Sequence, residues 1–409
     1  MSGPRTRVWV GIDAGKGHHW AVALDGEGGK LLSRKVFNDE AAILEMIAVV
    51  AELADEAVWA VDISGKAATL LLALLVALLV AHGQEVVYVP GRTVNRMAGT
   101  YRGEGKTDAK DARIIADTAR MRRRDLIPLA RPAELVAELR LLTGHRADLI
   151  ADRVRLVNRL RDLLLGICPA LERALDYSAA KGPIVMLTEY QTPAALRRIG
   201  VNRLTSWLAR RKVRGADQVA AKAVAKAVAA AQSQHTTLPG EKRAAALVRD
   251  LAHRLLELDA QITGTDGQIR DTFRADPRAE IIESMPGMGP ILGAEFIAIV
   301  GDLSGYAGAG RLAAHAGLAP VPRDSGRRTG NLHRPRNYNR RLRHIFYLAA
   351  QTAMIHSGPS RDYYLRKRSE GLIHTQAIMA LARRRVDVLW AMLRDNRTFT
   401  STPPVTHPA

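Results

Sequence analysis

Val8-Trp-Val-Gly-Ile-Asp-Ala-Gly15 decides how the N-terminal part of the chain is read: Val8–Ile12 is a short run of β-forming residues that ends at an acid, Asp13. A second run, His19–Leu24, and a third, Lys30–Val36, follow across Gly-rich turns. Next come a helical stretch Glu40–Ala54, a fourth β-type run Ala57–Ile63 carrying Asp62, an apolar helix over Ala67–Ala81, and a further run Glu85–Val89.

A three-strand meander followed by strand–helix alternation is the element order of an RNase H-like α/β domain. In such a sheet the fourth strand lies beside the first, which brings Asp13 and Asp62 to one rim. The apolar run Ala67–Ala81 is shorter than the roughly 18–20 residues a membrane span needs, so it is expected as a buried crossover helix.

The rest of the chain changes character. At 409 residues it calls for two globular units with connecting helices. Long Ala/Leu/Arg/Glu-rich helices are expected from about Pro132 to Arg274. Leu149–Leu165 and Glu241–Phe273 carry apolar stripes that predict helical-hairpin or coiled-coil packing, here expected between protomers. Ala216–Gln232 reads as a solvated helix or linker. The divisions that follow are a catalytic α/β domain over 1–128, a helical linker over 129–278, a mainly α-helical C-terminal domain over 279–395, and a disordered Thr/Pro-rich tail over 396–409.

Charge narrows the partners. A formal charge of +19 with 47% hydrophobic residues describes a folded protein that meets a polyanion, and nucleic acid is favoured over a membrane face. The one cysteine, Cys168, can form neither an internal disulfide nor a zinc site and is expected in a core. No secretory leader pattern opens the sequence, so a cytoplasmic protein is expected, associated with the nucleoid during its reaction.

Chemistry concentrates in two places. Lys106-Thr-Asp-Ala-Lys-Asp-Ala112 begins a helix in which Asp108 and Asp111, spaced i, i+3, share a face; Thr107 or Asp108 could equally serve as its N-cap. With Asp13 and Asp62 they make four acids on three elements, a set that repels itself unless a cation intervenes. Oxygen-only ligands suit Mg²⁺ or Mn²⁺. Beside them Arg92, Arg96, Tyr101, Arg102 and Lys106 form a basic and aromatic track suited to a phosphate backbone, extended by Arg120–Arg124.

In the C-terminal region, Met285-Pro-Gly-Met-Gly-Pro290 places Gly287 and Gly289 between helices, where backbone amides can face a phosphate as in helix-hairpin-helix DNA binders. Further on, Ser325 stands beside a glycine among Arg323, Arg327, Arg328, Arg334 and Arg336, a surround able to hold a phosphate and stabilise phosphoryl transfer. Taken by spacing alone, a Ser-Gly pair is a flexible turn.

Gly11-Ile-Asp-Ala-Gly15, Asp62, Gly105-Lys-Thr-Asp-Ala-Lys-Asp-Ala112, Met285-Pro-Gly-Met-Gly-Pro290 and Ala316-Gly-Leu-Ala-Pro320 with Asp324-Ser-Gly326, in that order, resemble the DEDD transposases of the IS-one-ten class of bacterial insertion sequences. The resemblance spans nearly the whole chain. It implies a RuvC-like N-terminal domain whose metal-binding acids map to Asp13, Asp62, Asp108 and Asp111. It also implies a dimerising helical linker and a C-terminal transposase domain whose nucleophile maps to Ser325. The second acid is usually glutamate in that family, so Asp62 is one CH₂ short of the pattern. Donor and target DNA, an element-encoded guide RNA and a homo-oligomer, dimer or tetramer, are the partners it implies.

Three other readings fit parts of the sequence. A RuvC-like junction nuclease would use the four acids and water without Ser325. An actin-like kinase shares the Gly-Ile-Asp-Ala-Gly opening but lacks the later phosphate and adenosine motifs. A non-enzymatic nucleic-acid-binding protein explains the charge and not the acids.

Overall fold

The computed structural model describes residues 7–62, 72–101, 105, 107–123, 126–129, 133–211, 219–326 and 329–401. The chain divides into two compact units, Met1–Ala133 and Glu134–Ala409.

The first unit is a mixed sheet with helices on both faces. Its strands are β1 (Arg7–Ala14), β2 (His18–Leu24), β3 (Lys30–Phe37), β4 (Glu56–Val61), β5 (Glu85–Tyr88) and β6 (Ile127–Pro128), in the spatial order β3-β2-β1-β4-β5-β6. β1 runs antiparallel to β2 and parallel to β4, with Ile12 opposite Val61. The fourth strand therefore lies beside the first, as the element order predicts. β6, a two-residue edge strand, has no clear sequence signal.

Side-chain alternation explains the layering. Val8, Val10 and Ile12 of β1 and Trp59 and Val61 of β4 face one core. That core is covered by α1 (Glu40–Leu53), through Ile43, Met46, Ile47 and Val50 at helical spacing, and by α2 (Ala73–Ala81), through Leu75 and Leu79. The earlier part of the expected Ala67–Ala81 helix lies outside the described residues. Trp9, Val58 and Ala60 face the other side, against α3 (Gly91–Ala98) and α4 (Asp108–Arg122).

Gly11 is where α4 crosses the sheet. A Cβ there would stand 2.1 Å from the Ala112 carbonyl oxygen and 2.4 Å from the Ala116 nitrogen, both backbone atoms. The glycine lets helix and strand touch, and that contact sets the height of the helix above the rim. Gly11→Ala is expected to destabilise the first unit by about 3 kcal/mol and to lower its melting temperature. A calorimetric transition unchanged from wild type would show that the contact carries no such weight.

The second unit is helical apart from a small ribbon. Two long helices, α5 (Glu134–Leu165) and α10 (Glu241–Arg274), run antiparallel, tied by Arg146–Asp266 and by Arg153–Asp259. Between them in sequence lie α6 (Pro169–Ala174), α7 (Lys181–Leu187), α8 (Pro193–Arg210) and α9 (Val219–Gln232). Val157, Leu160, Val248, Ala252 and Leu255 from the long pair share one core with these shorter helices.

The apolar stripes of α5 and α10 pack as a helical hairpin, largely on one another and on helices of the same chain, with Val154, Leu165 and Leu247 left exposed. One expectation is corrected here. The Ala/Lys-rich segment is no solvated linker: Val224, Ala227, Val228 and Ala231 of α9 are buried, with Arg197 donating to the carbonyl of Ala231. Alanine is small enough to let helices approach closely, so low complexity concealed a packing face. Cys168 is buried in this core, as expected.

The far ends of the long helices enter a further core. Val136, Leu139, Ile269 and Phe273 pack there with α11 (Ala279–Ser284), α12 (Pro290–Val300), α13 (Ala309–His315), α14 (Arg340–Ala353) and α16 (His374–Arg394). α15 (Pro359–Ser369) contributes no fully buried residue. A ribbon pairs β7 (Val321–Pro322) with β8 (Leu332–His333). The expected disordered tail is held as far as it is described: the Phe399 amide donates to Ser284 Oγ at 2.9 Å and its ring packs on the core. No helix among the described residues is long and apolar enough to cross a membrane.

Candidate active site

β1 and β4 deliver the first two acids. Asp13 continues the alternation of Trp9 and Gly11, which puts it on the α4 side of the sheet, and Asp62 follows Val61 at the end of the neighbouring parallel strand. α4 delivers the other two. Thr107 is the N-cap, its hydroxyl accepting from the Lys110 amide at 3.2 Å, so Asp108 and Asp111 occupy the first turn. With Ile115 buried one turn beyond Asp111, the i, i+3, i+7 row faces the sheet.

Electrostatics mark one pair, Asp62 and Asp111. Burial pushes the Asp62 carboxyl up to about 6, and the nearby charge of Asp111 adds to the rise. Asp62 Oδ1 is buried without a hydrogen-bond partner. Gly91, at the start of α3, leaves it room: a Cβ there would stand 2.8 Å from that oxygen. Asp108 is more open and stands 3.6 Å from His18 Nε2. A buried carboxylate oxygen without a partner, in the field of a second acid, is the environment a cation relieves. As placed, though, no group of three or more His, Cys, Asp or Glu side chains among the described residues is close enough to cage a metal. The case rests on Asp62, through its buried Oδ1 without a partner and the charge of Asp111 that adds to its rise.

The raised Asp62 value has a sign. The folded state prefers the proton, so the stabilisation is present below the ordinary carboxyl value of 3.8 and is lost as pH rises through about 6. In chelator, wild-type protein is expected to lose on the order of 2 kcal/mol between those limits through this group, after allowing for its partial exposure. Asp62→Asn should flatten that slope, read as melting temperature against pH. An unaltered slope would place the cost elsewhere.

The basic track is partly absorbed by structure. Arg92 and Arg96 are exposed on α3, whereas Arg102 and Lys106 lie outside the described residues. Tyr101 donates its hydroxyl to Asp117, which also accepts from Arg120, and Arg123 pairs with Glu85. These three side chains tie the domain together, so the aromatic and cationic members read as phosphate contacts are spent on internal bonds. His18 and the close contacts of Gly11 and Gly91 were missed. Their sequence signals, a His pair opening a strand and glycines at element ends, are common and weak.

In the second unit, Gly287 has φ +82°, and a Cβ on it would stand 2.4 Å from the Ala349 carbonyl oxygen. Packing against α14 therefore demands this glycine. Arg385, buried with its guanidinium driven down to about 10 by desolvation, donates to the Pro286 carbonyl and pins the same turn. Gly289 is the N-cap of α12, with open space at its Cα.

Ser325 is exposed on the loop joining β7 and β8. The loop is held below it by Arg323 N to Asn331 O and by Asn331 N to Asp324 Oδ1, both 2.9 Å. Gly326 and Gly330, at φ +55° and +78°, turn the chain on either side. Arg323, Arg334 and Arg336 are exposed around this ribbon; Arg327 and Arg328 lie outside the described residues. At its foot Tyr338 packs on Gly317, accepts from Arg334 at 2.8 Å and lies 5.0 Å from the Arg343 guanidinium, contacts that hold its phenol below the ordinary value, the Arg334 bond foremost.

Comparison with known proteins agrees with both halves. Residues 10–169 match the family model of DEDD transposases named for IS110, and residues 279–365 match the model described as transposase, IS116/IS110/IS902 family. The chain is 73% identical over 409 residues to the insertion element IS116 protein of Streptomyces clavuligerus, covering all of both. It is 52% identical to the IS900 protein of Mycobacterium paratuberculosis, over 96% of this chain and 97% of that one. To the IS110 protein of Streptomyces coelicolor it is 36% identical, over 97% and 96%.

Proposed function

The chain belongs to the IS116/IS110/IS902 family of insertion-sequence transposases, enzymes that catalyse DNA strand cleavage and transfer, and from that premise we propose that it moves its element through a covalent phosphoserine intermediate made by Ser325. The observation that carries the reading is the exposure of Ser325 on a loop braced by the Arg323–Asn331 and Asn331–Asp324 bonds, with Arg323, Arg334 and Arg336 exposed around the same ribbon. An RNase H-like first unit, with Asp13, Asp62, Asp108 and Asp111 as its metal ligands, is supported by the strand order and by the placement of the acids at the ends of β1 and β4 and the first turn of α4.

A Mg²⁺ or Mn²⁺ ion bound by these acids would polarise the phosphodiester oxygens. The chain's own groups do the rest. Exposed Arg323, Arg334 and Arg336 hold the phosphate, and Ser325 Oγ attacks phosphorus. The Oγ–P bond forms as the P–O bond to the leaving sugar breaks, and the sugar oxygen departs with a proton. The energy of the broken phosphodiester stays in the seryl ester, so a second strand can be joined without a nucleotide cofactor.

An element-encoded guide RNA that pairs with donor and target DNA belongs to the same reading and is supported by the charge of +19. So does a homo-oligomer, since exchange between two duplexes needs more than one active site. The reading is tested by stalling the reaction midway: it requires DNA left on Ser325, whereas hydrolysis by water leaves free ends.

A further inference from the structure

An open groove of about 430 Å³ lies beside the ribbon that carries Ser325. One wall is the segment 317–320, and another is Arg334 with Pro335, the residues that leave β8. Its apolar lining includes Tyr363 of α15, Leu372, and Met379 of α16, and its cations are Arg334, Lys367 and Arg383. No acid lines it. Lys367 and Arg383 pair with Glu370 and Asp387 on their own helices. Both pairs are only half-buried and local to one helix, so they are weak and a phosphate can compete for the cations. Behind Met379, Arg343 brings a further cation, its Nη2 3.7 Å from the sulfur and its Nη1 buried with no partner.

We propose that this groove holds one unpaired nucleotide of the DNA strand that Ser325 attacks. The size suits a base with its sugar and excludes a duplex. The chemistry suits it too: an aromatic ring, a thioether and a leucine offer a face on which any base can stack, and the rim cations take the flanking phosphates. The strand choice rests on the reading of Ser325 as nucleophile, because the groove wall and the Ser325 loop are joined by consecutive residues of one ribbon. Drawing a nucleotide out of its stack beside the scissile phosphate would fix the strand in register and expose the phosphorus to the serine.

The test is equilibrium binding of the full chain to a single-stranded oligothymidine, to a DNA duplex of the same length and to a single-stranded oligouridine, for wild type, Met379→Trp and Tyr363→Leu. Filling the groove with Met379→Trp is expected to weaken single-stranded DNA about tenfold and to leave the duplex within about twofold. Tyr363→Leu keeps apolar volume where the ring, half-buried, packs on the core, so it should melt within a few degrees of wild type and weaken single-stranded DNA about threefold. Unchanged single-stranded affinity in both variants overturns the proposal, as does an equal loss on the duplex. A loss confined to oligouridine would make it an RNA site and overturn the DNA assignment. If the groove variants bind as wild type while Ser325 still forms its DNA adduct, the groove proposal fails alone; if Ser325 never forms one, the functional reading fails whatever the groove binds.

Discussion

Asp111→Asn is expected to abolish strand exchange, with a loss of about 10³-fold or more, while the protein keeps its fold and its nucleic-acid affinity. The amide is isosteric with the carboxylate but carries no charge, so on the proposed reading it weakens metal binding without opening a cavity. Asp111 sits in the first turn of α4 on the face turned to the sheet, and its charge is one of the two causes of the raised Asp62 value. The variant should therefore also bring the Asp62 carboxyl down from about 6 toward its ordinary range. Two readouts follow from one substitution: exchange in Mg²⁺, and the titration of Asp62 followed by NMR in chelator. Asp108→Asn should be equally inactive, although its side chain is more exposed and faces His18. Exchange at the wild-type rate by either variant would remove that acid from the metal site.

The acid site was legible for a simple reason. A strand of alternating residues that ends in an acid states which face the acid takes, and i, i+3 acids on a helix state that they share one; neither inference needs tertiary information. Strand order then brings the rims together. The close contact that holds α4 in place was hidden, because Gly11 reads as one more turn glycine until the backbone of Ala112 is seen against it. The basic residues were over-read for a related reason. A sequence shows that Arg120 is charged, but whether that charge faces a phosphate or Asp117 is a tertiary fact. The helical half shows the same limit in two places. Stripes on α5 and α10 need covering, and sequence cannot say whether another helix of the chain or a second copy covers them; alanine-rich α9 looked solvated because alanine gives a weak burial signal.

Ser325→Ala is expected to bind DNA as wild type does and to form no covalent adduct, with strand exchange lost to background. Ser325 is the proposed nucleophile because the ribbon holds it up rather than in: it is exposed, the backbone bonds between Arg323 and Asn331 brace the loop beneath it, and no buried apolar contact is lost on removing its hydroxyl. The alanine variant should therefore melt at the wild-type temperature, which separates chemistry from folding. A serine hydroxyl at neutral pH is a weak nucleophile and gains reactivity only where its proton can leave as the phosphorus is approached. The Asp111→Asn variant should consequently lack the adduct as well, despite an intact Ser325. Stalling wild-type protein on a nicked or mismatched substrate, digesting it and examining the peptides by mass spectrometry should show a nucleotide on the peptide containing Ser325. Ser360 of α15, whose hydroxyl accepts from Arg385 Nη1 of α16 at 3.3 Å, and Ser357 are the internal controls. An adduct on either of them, or full exchange by Ser325→Ala, would sink the assignment. Free DNA ends with no adduct in wild type would mean that water attacks in place of serine, and the acids would then serve a nuclease.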